Sequence, residues 1–281
     1  MTYNAMPLSS PPTETFKEKL VKYATSDKIS RYWCSTCGSH VANYHGSGGD
    51  DQWKVCTGAI DEVLGEYDGK LEKYTGHIFV ADTRDGGLSV CLPDAPSYME
   101  DAEGSPSKDT KKELKQLREA GIHDTGEEMI EAKCHCEKVR FFIKPAENGK
   151  KLQAVLCACR SCRLSLGQPI VSWAANVPRE QIVWPDGSAF DGNPHQSLKV
   201  YRSSEGVERR FCSTCGASVC FASNKEPETL DVAFGILRAK DGSLAKSFFK
   251  WDTEKIPFLE DALDQDLFTL VKRNLSALED A

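Results

Sequence analysis

Nine of the chain's 12 cysteines stand in short-range groups, and this grouping is where its chemistry can begin. Cys34 pairs with Cys37, Cys134 with Cys136 and Cys212 with Cys215, while Cys157, Cys159 and Cys162 make a triplet; Cys56, Cys91 and Cys220 stand apart. Thiolates two or three residues apart can converge on one ion at about 2.3 Å each with little movement of the backbone. The stretch from Met1 to Phe16 holds no basic region followed by an apolar run, so a secretory signal is not expected. Thiols kept in a reducing compartment point to metal or redox chemistry rather than to a disulfide framework. The metal expected is zinc. Seven clustered thiols in the second half of the chain divide naturally into a closed site of four and a second site of three. Spacing alone does not say which group supplies which site, although Cys157-Ala158-Cys159-Arg160-Ser161-Cys162 can offer three ligands from one tight loop, leaving two pairs from distant strands.

A zinc held by three cysteinates carries a formal charge of −1, so it activates water less than the neutral-ligand sites that bring water's pKa to about 7. Its fourth position suits a soft ligand, and a substrate sulfur bound there is kept as the nucleophilic thiolate. A thiol adding to an aldehyde, or leaving a hemithioacetal, fits that arrangement. His135 lies between two candidate ligands and either joins them or, by strand alternation, faces elsewhere. His195, in Gly192-Asn193-Pro194-His195, reads as an exposed loop histidine, and His77 as packing or surface. Trp173, Trp184, Phe190, Tyr201 and Phe211 read as core of a β domain, with a pocket mouth as the other possibility, and Cys220 as a small buried apolar residue. In the first half, Cys34 and Cys37 are half of a four-ligand site. They are a zinc site completed by Cys56, His40 or His45, a bare dithiol, or a remnant; the absence of a triplet from that half favours the remnant.

The elements that must position these residues repeat along the chain. Tyr32-Trp33-Cys34-Ser35-Thr36-Cys37-Gly38-Ser39-His40-Val41 reappears 178 residues later as Arg210-Phe211-Cys212-Ser213-Thr214-Cys215-Gly216-Ala217-Ser218-Val219. Val55–Ile60 falls near Val232–Leu237 at an offset of 177. What precedes Cys212 has no counterpart before Cys34, so the chain reads as one complete module and one partial module without its front half. Strands are expected at Val139–Ile143, Gln153–Cys157, Pro169–Ala174, Gln181–Trp184, Leu198–Tyr201, Ser218–Ala222 and Leu230–Phe234, giving a β domain. Asp109–Ala120, closed by Gly121, reads as a charged helix with a thin apolar stripe of Leu114, Leu117 and Ile122. Leu259, Leu263, Leu267, Leu270, Val271 and Leu278 recur at helical spacing and predict a C-terminal helix packed on the sheet. The organisation expected is a partial repeat over residues 1–100, a charged linker helix within 101–131 and a complete zinc domain over 132–281.

Thirty-five basic against 42 acidic residues give a formal charge of −7, which repels a phosphate backbone, so nucleic acid is not expected as a partner. Apolar runs fall far short of the roughly 20 residues that span a bilayer, and the expectation is an intracellular, cytoplasmic protein.

Three motifs in order, Lys133-Cys134-His135-Cys136-Glu137-Lys138-Val139-Arg140-Phe141, then Leu156-Cys157-Ala158-Cys159-Arg160-Ser161-Cys162-Arg163, then Arg210-Phe211-Cys212-Ser213-Thr214-Cys215-Gly216-Ala217, resemble the glutathione-dependent formaldehyde-activating enzyme family, which includes centromere protein V. The resemblance covers Glu131–Asp261 fully and Ser26–Pro93 as a second half only, like tandem fungal members with an eroded first copy. It implies a mainly antiparallel β fold with two zinc ions. One is structural, on Cys134, Cys136, Cys212 and Cys215; the other, on Cys157, Cys159 and Cys162, is catalytic. It implies carbon–sulfur lyase chemistry on glutathione or another thiol adduct of an aldehyde, with zinc holding the substrate sulfur. Arg160 and Arg163 flank the triplet and can receive the carboxylates of such a ligand through paired N–H donors. The alternative reading is a non-catalytic, zinc-stabilised binding module, although the basic, proline-rich arm of the chromatin-associated relative has no counterpart in this acidic chain.

Overall fold

Apolar and polar residues alternate in Ile130-Glu131-Ala132-Lys133, where the first and third side chains are buried and the others half exposed, as in a strand with one face on the core. The computed structural model describes residues 5–46, 51–60, 76–92, 94–101, 104–121, 129–146, 149–190 and 197–279. In the first half, strands β1 (Ala5–Pro7), β2 (Leu20–Ala24), β3 (Ile29–Cys34), β4 (His40–His45) and β5 (Gln52–Cys56) form an antiparallel sheet in the order β1-β5-β4-β3-β2. A single helical turn, α1 (Glu14–Glu18), capped by the Thr13 hydroxyl, leads into β2. The charged helix expected after residue 109 is present as α2 (Thr110–Gly121), begun by the Asp109 carboxylate accepting from Lys112 N at 3.0 Å and anchored by the buried Leu114.

The second half builds two sheets over one core. β6 (Ile130–Lys133), β7 (Arg140–Ile143), β10 (Ile182–Val183) and β15 (Leu237–Arg238) form a small sheet in the order β10-β7-β6-β15. The larger has seven strands: β8 (Leu152–Cys157), β9 (Val171–Pro178), β11 (Leu198–Ser204), β12 (Val207–Cys212), β13 (Ser218–Ser223), β14 (Thr229–Ala233) and β16 (Phe249–Trp251), in the order β11-β12-β13-β14-β9-β8-β16. Ile130, Phe141, Ile143 and Ile182 of the small sheet share a buried core with Leu156, Val232 and Phe249 of the large one. Strand pairings in this half are antiparallel except β16 on β8, which is parallel. Two helices complete the half. α3 (Arg160–Leu166) follows β8 directly, and α4 (Gln265–Glu279) buries Phe268, Val271 and Leu275. Leu259 and Leu263, expected within that last helix, precede it. No helix among the described residues is long and apolar enough to cross a membrane.

The sequence offset is also an offset of geometry. β2, β3 and β4 begin at residues 20, 29 and 40, and β11, β12 and β13 at 198, 207 and 218, each 178 later. Leu20 opposes Cys34 as Leu198 opposes Cys212, and a bulge falls between Tyr32 and Trp33 as between Arg210 and Phe211. Each hairpin turn closes on a left-handed glycine, Gly38 at φ 78° and Gly216 at φ 73°. Gly38 N donates to Cys34 O at 2.8 Å and Gly216 N to Cys212 O at 2.9 Å.

The two hairpins pack on each other reciprocally. A Cβ on Gly38 would lie 2.5 Å from the Phe211 ring, and one on Gly216 would lie 2.5 Å from the Trp33 ring, while the two rings meet edge to face at 5.7 Å. Only a residue without a side chain lets each aromatic ring rest on the opposite turn. His40 Nε2 reaches Gly216 O at 2.8 Å across the same contact.

Candidate metal centres

The first centre joins two distant hairpins. β6 ends at Lys133, and a tight turn delivers Cys134 and Cys136 before β7; Cys212 closes β12 and Cys215 stands in the turn before β13. The four sulfurs lie within 4.8 Å of one another, with Cys136 3.5 Å from both Cys134 and Cys212. A tetrahedral ion with sulfur ligands at about 2.3 Å requires sulfur separations of about 3.8 Å, so the donors fit zinc in number, type and spacing. His135 is not among them: it lies in the turn after β6, not on a strand, and its Nδ1 meets the Tyr23 hydroxyl of the first half at 2.9 Å.

The second centre sits where β8 passes into α3. Cys157 ends the strand, Cys159 caps the helix by accepting from Cys162 N at 3.3 Å, and Cys162 lies in the first turn. The expected tight loop is therefore a strand end and a helix start, with Cys159 in the place a serine or aspartate cap would take. The three sulfurs lie within 4.8 Å of one another, and among the described residues no fourth side chain joins them. Val171, Trp173 and Ala233 are buried beside Cys157 and Cys162, with Val155, Leu166 and Phe221 partly buried around them.

The sulfurs themselves indicate what is missing from the protein's own charges. In the triplet Cys162 ionises first, because it accepts hydrogen bonds from Cys157 and Cys159 and faces the Arg209 guanidinium; Cys157, donating to its neighbours and buried, is pushed far up. In the other centre Cys215 is lowered by hydrogen bonds from Cys134 and Cys212, while Cys134 is raised by donating to Cys212 and Cys215. Close sulfurs share protons rather than all ionise, and a fully thiolate set needs a cation. The donor sets thus fit zinc.

Arg209 is a residue the sequence reading did not single out. Its Nη2 donates to Cys162 Sγ at 3.5 Å and to Ser161 Oγ at 3.0 Å, and its guanidinium lies 5.2 Å from the Phe221 ring centre, the residue opposite it on β13. Cross-strand pairing was the available signal, once β12 is recognised as a strand. The two arginines that were singled out are placed differently. Arg160 is exposed on the first turn of α3. Arg163 is fully buried, and its Nη1 donates to Gly58 O at 3.2 Å and Ile60 O at 2.6 Å, which ties α3 to the first half instead of presenting a fork to solvent. Close by, a Cβ on Gly58 would lie 2.2 Å from Gln168 N and one on Gly167 2.3 Å from His40 O, so backbones from the two halves touch around the end of α3.

The remaining expectations fall out as follows. Trp184 and Phe190 pack with Phe141, Phe211 lies between the halves beside Cys212, Trp173 adjoins the three-sulfur centre, and Tyr201 is only partly buried on β11. Cys220 is buried in the core, where burial pushes its thiol up to about 11. His77 is buried against Leu92 O at 3.1 Å. His195 lies outside the described residues. Cys34 and Cys37 are partly exposed and hydrogen-bonded to each other, and no third ligand group joins them among the described residues. Cys56 is buried with Asn43 Nδ2 at 3.4 Å, and His40 faces Gly216, so neither completes a site there.

A family model described as glutathione-dependent formaldehyde-activating enzyme matches residues 129–251, the stretch that holds all seven cysteines of the two centres. No curated protein matches the chain. A crystal structure of a Rhodobacter sphaeroides protein, solved as a structural genomics target, is 21% identical and aligns over 38% of this chain and 87% of its own, with a TM-score of 0.28.

Proposed function

We propose that the chain is a zinc-dependent, carbon–sulfur lyase-type enzyme that forms or cleaves the hemithioacetal of an aldehyde with glutathione or another small thiol, at the centre made by Cys157, Cys159 and Cys162. The observation that carries this reading is the three-sulfur set at the β8–α3 junction, which is separate from the four-sulfur set and gains no fourth side chain among the described residues. A structural role is served by one closed site; a three-donor set leaves a coordination position for substrate. Zinc bound there would supply a soft position that stabilises a sulfur as thiolate. The chain's own groups do the rest. Arg209 offsets the negative charge gathering on Cys162, the Cys159 cap fixes the sulfur spacing against α3, and Trp173, Val155 and Phe221 keep water from the sulfurs. In the reaction the C–S bond breaks, the sulfur keeps the bonding pair, and the hydroxyl proton leaves as the carbonyl forms.

In the same reading Cys134, Cys136, Cys212 and Cys215 hold a structural zinc that ties β6 to the β12–β13 hairpin. The first half is a reduced copy of the module, retained as a platform for α3; the shared 178-residue offset of strands and registers supports this. The test is incubation of the purified chain with glutathione and a series of small aldehydes, following adduct by mass spectrometry. Turnover that disappears in Cys159→Ser while the far-ultraviolet spectrum is retained is the expected result. Equal turnover in that variant, or none in the parent at two zinc ions per chain, overturns the reading.

A further inference from the structure

Sorting the 12 cysteines by environment leaves one pair without a task. Seven belong to the two centres. Cys56, Cys91 and Cys220 are buried singly, and burial pushes their thiols up to about 11, 12 and 11. Of the cysteines outside both sulfur clusters, Cys34 and Cys37 are the partly exposed ones, and they are hydrogen-bonded to one another. Their turn has the hydrogen bonds and left-handed glycine of the Cys212–Gly216 turn, but no strand pair brings it two further sulfurs.

What remains in that turn is a dithiol suited to a different reaction. The backbone amides of Thr36 and Cys37 hydrogen-bond to the Cys34 sulfur, as amides stabilise a thiolate. Cys37 Sγ donates to Ser39 Oγ at 3.2 Å and lies beside Cys34, in position to act second. We propose that Cys34 and Cys37 are a thiol–disulfide exchange site whose substrate is a small disulfide of the glutathione disulfide class. The Cys34 thiolate attacks one sulfur of the substrate, breaking its S–S bond and expelling one thiolate. Cys37 then gives up its proton and attacks the Cys34 sulfur of the mixed disulfide, expelling the second thiolate. Two electrons pass from the dithiol to the substrate; the protein gains a Cys34–Cys37 disulfide and two molecules of small thiol are released. The site acts apart from the triplet, so it does not depend on the lyase reading.

The full chain as purified, with its metal content measured, is incubated with glutathione disulfide without oxygen, then alkylated and digested with trypsin. The peptide from Tyr32 to Lys54 contains these two cysteines and no other. Both should escape alkylation and the peptide should lose two hydrogens, with bound zinc unchanged. Cys37→Ser should trap a stable glutathione adduct on Cys34, and Cys34→Ser should react at least about tenfold more slowly. The proposal is overturned if that peptide stays reduced while other cysteines oxidise, if the two variants react alike, or if the pair is protected because it holds a third zinc.

Discussion

The β3–β4 and β12–β13 hairpins share strand lengths, register, bulge, turn hydrogen bonds and a left-handed glycine, yet one meets two further sulfurs and the other meets none. The difference lies outside the hairpins. Cys212 and Cys215 become half of a four-sulfur set because the β6–β7 turn lies against them, whereas among the described residues no second cysteine pair lies against Cys34 and Cys37. A cysteine hairpin therefore holds its shape through backbone hydrogen bonds and glycine, and the completing strand pair decides whether it becomes a cross-link.

The sharpest way to break this comparison is the same substitution at both positions. Cys212→Ser should release one zinc and unfold the second half, since closed sites of this kind contribute about 10 kcal/mol. Cys34→Ser should shift stability by less than about 1 kcal/mol, read by circular dichroism melting and elemental analysis. Valine at either turn glycine tests the shared part instead. Gly38→Val and Gly216→Val should each cost about 2–4 kcal/mol, through the aromatic ring that each Cβ would strike and the positive φ. Similar losses support reciprocal packing, and a large loss at only one glycine argues against it. Arg163→Ala should cost about 2 kcal/mol by leaving the Gly58 and Ile60 carbonyls without their donor. It should also weaken metal retention at the triplet, with the four-sulfur centre unaffected, as read by competition with a chromophoric chelator.

The smallest effect is a pH dependence. His40 is partly buried between the halves, and desolvation there holds its pKa below the usual histidine range. Its folded form therefore resists protonation while the unfolded chain binds a proton at about 6.5, so stability should fall as pH drops from there towards the depressed folded value. His40→Gln, which keeps a donor for Gly216 O, should flatten that slope in denaturant titrations across pH 5 to 7 at about 25 °C.

Much of this was legible in the letters. The grouping of seven cysteines into four and three is matched by sulfurs within 4.8 Å, and the Cys34/Cys212 offset extends to strand boundaries. The sequence alone does not single out β6, β12 and β16: β6 and β16 alternate cleanly but are short, and Glu208-Arg209-Arg210 in β12 sets three charged residues in a row that take their strand character from neighbours. The helix α3 was read as loop, since Cys159 is not a familiar cap and Arg160-Ser161-Cys162-Arg163 shows no apolar period. Arg163 illustrates the limit of local reading: its partners are more than a hundred residues away, and a buried guanidinium against backbone carbonyls leaves no trace in its own neighbourhood.

The mutual seating of Trp33 on Gly216 and Phe211 on Gly38 has the form of the self-complementary contact that joins two identical subunits. Because one chain supplies both faces, the contact forms at an effective concentration in the millimolar range set by the tether and survives any dilution of the protein. The same surface is thereby consumed internally, and a second chain could claim it only by exchanging halves.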